Sequence, residues 1–235
     1  MEFVAQPFQI RAIRPEDIRQ ILEVERDAFP TLWPPTPFKK EMQNKLATYL
    51  VAVRPRALAT AGVSDNDATG GPDPSTSDPA PHHGAWRRWL EGLRRLLPSM
   101  NGSQSKDFLL GYLGLWRVVD DSHIVSVGVR TPYRRLGVGE SLVIRAIETS
   151  LEWRVRFMTL EVRVSNFAAQ TLYEKYGFKK MGVRKRYYMD NNEDAIIMTT
   201  DPIGTEKFQR EFQRLRTIHT EKLTQHLVLG FPLTS

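Results

Sequence analysis

The 235-residue chain contains no cysteine. Disulfides, thiolate metal sites and a cysteine nucleophile are therefore excluded. It also lacks any apolar run approaching the roughly eighteen residues a spanning helix needs. Histidine is sparse: His82, His83, His123, His219 and His226 fall at no spacing that would put metal ligands on one element. His82 and His83 sit in a polar, proline-rich stretch that reads as solvated loop, so no metal is expected. The first residues, MEFVAQPFQIRAIRPED, lack the basic-then-apolar layout of a signal peptide, and a cytoplasmic location is expected. What is there is an ordinary globular balance, 41% apolar and 26% charged, on a chain long enough to bury a full core. The net charge of +6 suits an anionic ligand or partner, whether phosphorylated cofactor, ribosome or membrane surface. No specific nucleic-acid site is read from it. Much of the excess is clustered, at Arg87–Arg88, Arg94–Arg95, Arg134–Arg135 and Arg184–Lys185–Arg186, so its location matters more than its total.

Residues 8–14 (FQIRAIR) alternate as a short strand. Pro15-Glu16-Asp17 then opens a helix carrying Ile18, Ile21, Leu22, Val24, Glu25 and Ala28. The segment TLWPPTPFKKEMQNKL reads as a proline-rich loop and a short helix, and TYLVAV (48–53) as a second strand. From about residue 54 to 106 the composition shifts to Pro, Gly, Ser, Asp and Ala, centred on DNDATGGPDPSTSDPAPHHG. A span of this kind reads as a disordered insertion. It interrupts a hairpin whose second strand resumes at 107–121. Within it, AWRRWLEGLRRLLP (85–98) puts Trp86, Trp89, Leu90, Leu93, Leu96 and Leu97 on one helical face and arginines on the other. Such a helix can lie on an anionic membrane, dock a partner, or pack on the protein's own surface. Further on, KKMGVRKRYYMDNNEDAIIMTT predicts a hairpin with Asp-Asn-Asn-Glu at its turn. Phe208, Phe212, Leu215, Ile218, Leu223 and Leu227 keep helical spacing, predicting a C-terminal helix on the core or on another subunit. The expected organisation is a domain over 1–203 holding the insertion, and a helical tail over 204–235.

The chemistry-bearing stretch is residues 125–177, an apolar strand, a glycine turn with two arginines, a helix, then a second strand and helix. Arg134-Arg135-Leu136-Gly137-Val138-Gly139 is an Arg-x-x-Gly-x-Gly turn at a helix start, where free N–H groups can cradle a diphosphate. No Gly-Lys-Ser/Thr follows, and a third glycine is missing, so it is neither a Walker loop nor a dinucleotide fingerprint. Gly128, between Val127 and Val129, leaves strand backbone open to an amide-bearing ligand. Glu161 on the next strand and Tyr173 on the next helix are a candidate base and acid. The blander accounts are a Glu161–Arg163 pair and a tyrosine packed on the sheet. Arg184, Lys185, Arg186, Tyr187 and Tyr188 either line a peptide channel or form an exposed hairpin with aromatics on its inner face.

VGVRTPYRRLGVGESLV, LEVRVSNFAAQTLYEKYGF and RKRYYMDNNEDAIIM resemble the GNAT superfamily of acetyl-CoA-dependent N-acetyltransferases. More narrowly they resemble the bacterial RimI family, the ribosomal-protein-alanine N-acetyltransferases. The resemblance covers residues 107–200 strongly and 8–55 weakly. It implies an α/β GNAT fold, a mixed, mostly antiparallel central sheet flanked by helices and splayed near Val129. It implies acetyl-CoA as co-substrate, with the backbone of Val127, Gly128 and Val129 pairing with the pantetheine arm. Arg134 would fill the family's turn-opening position, and Arg135, Leu136, Gly137, Val138, Gly139 and Glu140 would hold the pyrophosphate through main-chain N–H groups. Asn166 would contact the cofactor, Glu161 would accept the proton and Tyr173 would protonate the departing thiolate. Glu140 departs from the commoner basic or small residue there, which implies slightly weaker cofactor binding. The implied acceptor is the N-terminal alanine of small-subunit ribosomal protein 18, attacked directly without an acyl-enzyme; other protein N-termini, lysines, small amines and a non-catalytic acyl-CoA-binding module are the alternatives.

Overall fold

A computed structural model describes residues 7–31, 35–55 and 107–228. The amphipathic stretch 85–98 lies outside the described residues. The chain opens with β1 (Gln9–Ala12), a 3-10 turn at Pro15–Asp17 and α1 (Ile18–Ala28). Asp17 is buried and takes Arg11 at 2.6 Å and the Arg14 N–H at 2.8 Å, which fixes the corner between them. After α2 (Phe38–Glu41) come β2 (Ala47–Pro55) and β3 (Asp107–Val118), paired antiparallel and ending on Pro55 opposite Asp107. The long insertion thus joins two neighbouring strands, as the alternation on either side of it predicts.

The remaining elements are β4 (Asp121–Val129), α3 (Val138–Glu152), β5 (Phe157–Arg163), α4 (Phe167–Lys175), β6 (Phe178–Tyr188), β7 (Glu193–Thr200) and α5 (Glu206–Val228). Among the described residues, the strands form one seven-stranded sheet in the order β1-β2-β3-β4-β5-β7-β6. Every pair in it is antiparallel except β4–β5. The α3 crossover makes that parallel pair possible. Leu142, Val143, Ala146 and Ile147 recur at helical spacing on α3 and are buried against the sheet. Leu142, Val143 and Ile147 each contribute roughly 1.5–3 kcal/mol by leaving water. On the other face, α1 buries Ile21 and Val24 against Tyr49, Val51 and Tyr112.

The pairing of β4 with β5 runs from Asp121–Phe157 to Ile124–Leu160 and then stops. The sheet therefore splays from Ile124, five residues earlier than the expected position near Val129. The cause is a bulge. Leu115 pairs with Ile124 but Gly114 pairs with Ser126, so Val125 is an extra residue on β4. A bulge bends its strand and raises local twist, which carries β4 away from β5. Gly114 makes room for it: a Cβ there would meet Val125 at 2.7 Å and Tyr49 at 2.8 Å. The C-terminal helix α5 packs on the core, with Phe212, Leu215 and Leu223 buried in the same cluster as α3.

Candidate active site

Strand alternation sorts the residues around the fork. Ser122 and Ile124 of β4, with Leu160 and Val162 of β5, face α3; the Ser122 hydroxyl meets that of Ser150 at 2.8 Å. His123 and Glu161 therefore face the opposite side. There Glu161, its side chain largely covered, divides its carboxylate: Oε2 lies 2.8 Å from His123 Nε2, and Oε1 lies 3.0 Å from an Arg184 guanidinium nitrogen. The Glu161–Arg163 pairing is absent. Arg163 instead binds Asp190 at 2.8 Å and Glu193 at 3.1 Å, with the Tyr188 ring 3.9 Å away. Arg184 thus serves the site, whereas its neighbour Lys185 is tied to Asp194 at 2.7 Å on the hairpin.

A roof forms over this side from two distant segments. The Thr31 hydroxyl, just after α1, donates to Asp190 in the β6–β7 turn at 2.5 Å. Buried Glu25 anchors the segment that follows, accepting from the Thr36 N–H at 3.1 Å, from the Thr36 hydroxyl, and from Tyr112 at 3.3 Å. Tyr173 of α4 is buried against Phe178, ring centroids 5.8 Å apart. Burial, and then the field of Tyr188, push its phenol above the ordinary value, so it stays protonated at neutral pH.

On the other side of the fork lies the glycine turn. Arg135 and Gly137 both adopt left-handed backbone, at φ 65° and 84°. The first bond of α3 runs from the Ser141 N–H to the Gly137 carbonyl, so the N–H groups of Val138, Gly139 and Glu140 precede it. A Cβ at Gly139 would touch only the Val129 side chain, at 3.6 Å, so the turn's outer surface is open beside the β4 edge. These groups fit a diphosphate. The Glu140 side chain turns inward, accepting from Lys175, from the Tyr176 hydroxyl at 2.7 Å and facing His219 Nδ1 at 3.4 Å. Burial alone would raise its pKa, but hydrogen bonds from His219, Lys175 and Tyr176 hold it down at about 2. An acid neutralised in this way presents no bare charge to a phosphate, so the physical reason for expecting weaker cofactor binding lapses.

Three further positions take structural roles. A Cβ at Gly128 would meet Tyr112 at 2.8 Å and Ala28 at 3.2 Å. Packing accounts for that glycine; the open β4 edge comes from the splay. The Arg134 Nε donates to the Val129 carbonyl at 3.1 Å, and Leu136 packs partly buried on the core. Asn166 caps α4, its Oδ1 accepting from the Ala169 N–H at 3.1 Å. His123 escaped sequence reading because nothing local marks a lone strand histidine. The available signal was a titratable residue facing away from the core just before a bulge.

The Acetyltransferase (GNAT) family model matches residues 71–178. A Bacillus subtilis (strain 168) protein, provisionally named a ribosomal protein bS18-alanine N-acetyltransferase, is 32% identical over 190 residues, covering 80% of this chain and 92% of its own. This chain belongs to the GNAT family. The expected RimI-like kinship and the mixed, mostly antiparallel fold are borne out, and the chain is an N-acetyltransferase. Among solved structures, the ribosomal-protein-S18-alanine N-acetyltransferase from Escherichia coli matches with a TM-score of 0.54 at 21% identity, over 84% of this chain and 95% of that one. The NatC complex bound to Gag peptide and CoA matches at 0.51 and 17%, over 83% and 98%. At these identities the structural likeness speaks for the acetyltransferase fold alone.

Proposed function

We propose that this acetyltransferase moves an acetyl group from acetyl-CoA to a protein N-terminal amine, that of the alanine opening small-subunit ribosomal protein 18. The observation that carries the transfer reading is the fork. One open strand edge, Val127–Val129, runs from the N–H groups at the start of α3 toward a buried carboxylate, Glu161, on the opposite face. The pantetheine amides pair along that edge, and Arg135–Glu140 hold the pyrophosphate by main-chain N–H groups. The thioester then reaches the fork, where an amine from the roofed side meets it. Proton removal is directed toward Glu161, and Tyr173 protonates the leaving thiolate. The acceptor is supported by likeness across most of the chain to the Bacillus subtilis protein of that name. It is also supported by chemistry, since an α-amine has a reference pKa near 8 and a lysine near 10.4, so more of the α-amine is neutral. Such an enzyme works in the cytoplasm, where ribosomes are made.

The test offers purified protein and acetyl-CoA to two peptides: one beginning with the alanine of that ribosomal protein, the other N-terminally blocked with an internal lysine. Mass spectrometry should find acetylation at the alanine nitrogen, at a rate at least about tenfold above the lysine, as the pKa difference alone requires. Faster lysine acetylation would refute the acceptor assignment.

A further inference from the structure

His123 stands where the two strands part. It is in register with Thr159, one position before the last pair, Ile124–Leu160. Glu161, to which its Nε2 points, has both oxygens engaged and a side chain only 7% exposed, against 25% for His123. A neutral imidazole with Nε2 set 2.8 Å from a carboxylate carries its hydrogen on that nitrogen, which leaves the lone pair on Nδ1. Nδ1 has no hydrogen-bond partner among the described residues. The reachable proton acceptor at the fork is therefore the imidazole, and the carboxylate sits behind it.

We propose that His123 is a catalytic residue that takes the proton of the attacking amine, with Glu161 as the positioning residue that holds the ring and stabilises its cation. The proposal deepens the N-acetyltransferase reading and rests on it. In balance, the substrate ammonium loses two protons. His123 accepts one through Nδ1 and releases it to solvent. The amine nitrogen bonds to the thioester carbon, the C–S bond breaks, and the thiolate takes a proton from Tyr173, which the second amine proton restores. Arg184 stays paired with the outer carboxylate oxygen, so Glu161 remains an anion throughout. This division follows general triad logic, in which an acid orients an imidazole and does not itself receive the proton. Glu161 from β5 faces the ring, Arg184, Tyr187 and Tyr188 from β6 act on that carboxylate, and Trp116 stands beside the histidine in register on β3.

The test compares full-length wild type, His123→Gln and His123→Ala, with acetyl-CoA and an alanine-starting peptide, from about pH 6 to about pH 9. In both variants kcat should fall on the order of 10²-fold, while KM for acetyl-CoA holds within about twofold. The acidic limb of kcat at saturating peptide should flatten, and added imidazole should restore part of the His123→Ala rate. Circular dichroism and acetyl-CoA binding establish that the variants fold; His123→Gln, which can still donate to Glu161, carries the test should His123→Ala not fold. Wild-type kcat in both variants would overturn the proposal and leave the transferase reading standing. A lowered kcat with the acidic limb intact and no response to imidazole would make His123 a structural support, and would overturn it equally. A wild type that acetylates no amine peptide would sink both readings together.

Discussion

Glu161 shares one carboxylate between an imidazole and a guanidinium, and substitution there removes charge without removing shape. Glu161→Gln keeps the volume but can accept through one oxygen only, leaving either His123 or Arg184 facing an amide N–H. Its kcat should fall by about 10²-fold or more, with KM for acetyl-CoA held within about twofold, because the pyrophosphate turn lies across the fork. Initial rates at saturating peptide would show this, and an unchanged kcat would remove Glu161 from the proton path. Tyr173→Phe is the complementary case. The ring stays packed on Phe178, so stability should move by less than about 1 kcal/mol, while kcat falls about 10²-fold for want of a proton donor. A Tyr173→Phe enzyme with full turnover would mean the thiolate is protonated from elsewhere. Both residues were legible in the sequence because the Leu-Glu-Val-Arg strand and the Leu-Tyr-x-x-x-Gly-Phe helix are local patterns. The partnership of His123 and Arg184 with Glu161 was not, because it depends on a parallel pairing and a hairpin that set four strands in the order β4-β5-β7-β6.

At the scale of elements, the start of α3 is held from behind by α4 and α5. Gly137 combines a left-handed backbone with a wall: a Cβ would lie 2.9 Å from Leu223 and 3.0 Å from the His219 ring. Gly137→Ala should destabilise the fold by about 2 kcal/mol, the backbone strain and the clash acting together. A urea midpoint unchanged from wild type would show that α5 yields easily. The Glu140 network extends the same junction, with Lys175 at the end of α4, Tyr176 just after it and His219 from α5, and the His219 Nε2 also meets the Ser141 hydroxyl at 2.6 Å. Its carboxyl titrates at about 2 when folded and near 4.5 when free, so the stability it contributes is present above about pH 4.5 and is lost as pH falls toward 2. Discounted for partial exposure, that contribution is on the order of 2 kcal/mol. Glu140→Gln should be less stable at neutral pH and should lose less on acidification; parallel stability curves for the two proteins between about pH 5 and about pH 2.5 would contradict this. The strands and helices themselves were legible from their periods, and the C-terminal helix from its apolar spacing. Its seat behind the glycine turn was not, since nothing in a helical repeat says which turn it will cover. Nor was the origin of the fork: Gly128 drew notice beside the motif, whereas Gly114, inside an ordinary-looking strand, is the glycine that lets β4 bulge.

The molecule as a whole is a partition. On the proposed reading, the sheet separates a donor side, with the α3 N-terminus and the open β4 edge, from an acceptor side roofed by the Thr31–Asp190 link, and the fork joins the two. In such a design both substrates must be present before chemistry begins, because the acetyl group has nowhere to wait. The chain has no cysteine to carry it, and both Glu161 oxygens are engaged. Direct attack therefore requires a ternary complex, and double-reciprocal plots at several fixed peptide concentrations should intersect. A ping-pong pattern of parallel lines, or an acetylated protein trapped from acetyl-CoA alone and seen by mass spectrometry, would contradict the direct-attack mechanism. The same partition makes the acceptor side separately addressable. Asp190→Ala frees Thr31 and takes one partner from Arg163, loosening the roof without touching the glycine turn. It should raise KM for the peptide severalfold while KM for acetyl-CoA holds within about twofold. A rise confined to acetyl-CoA would place the acceptor elsewhere and dissolve the two-sided reading.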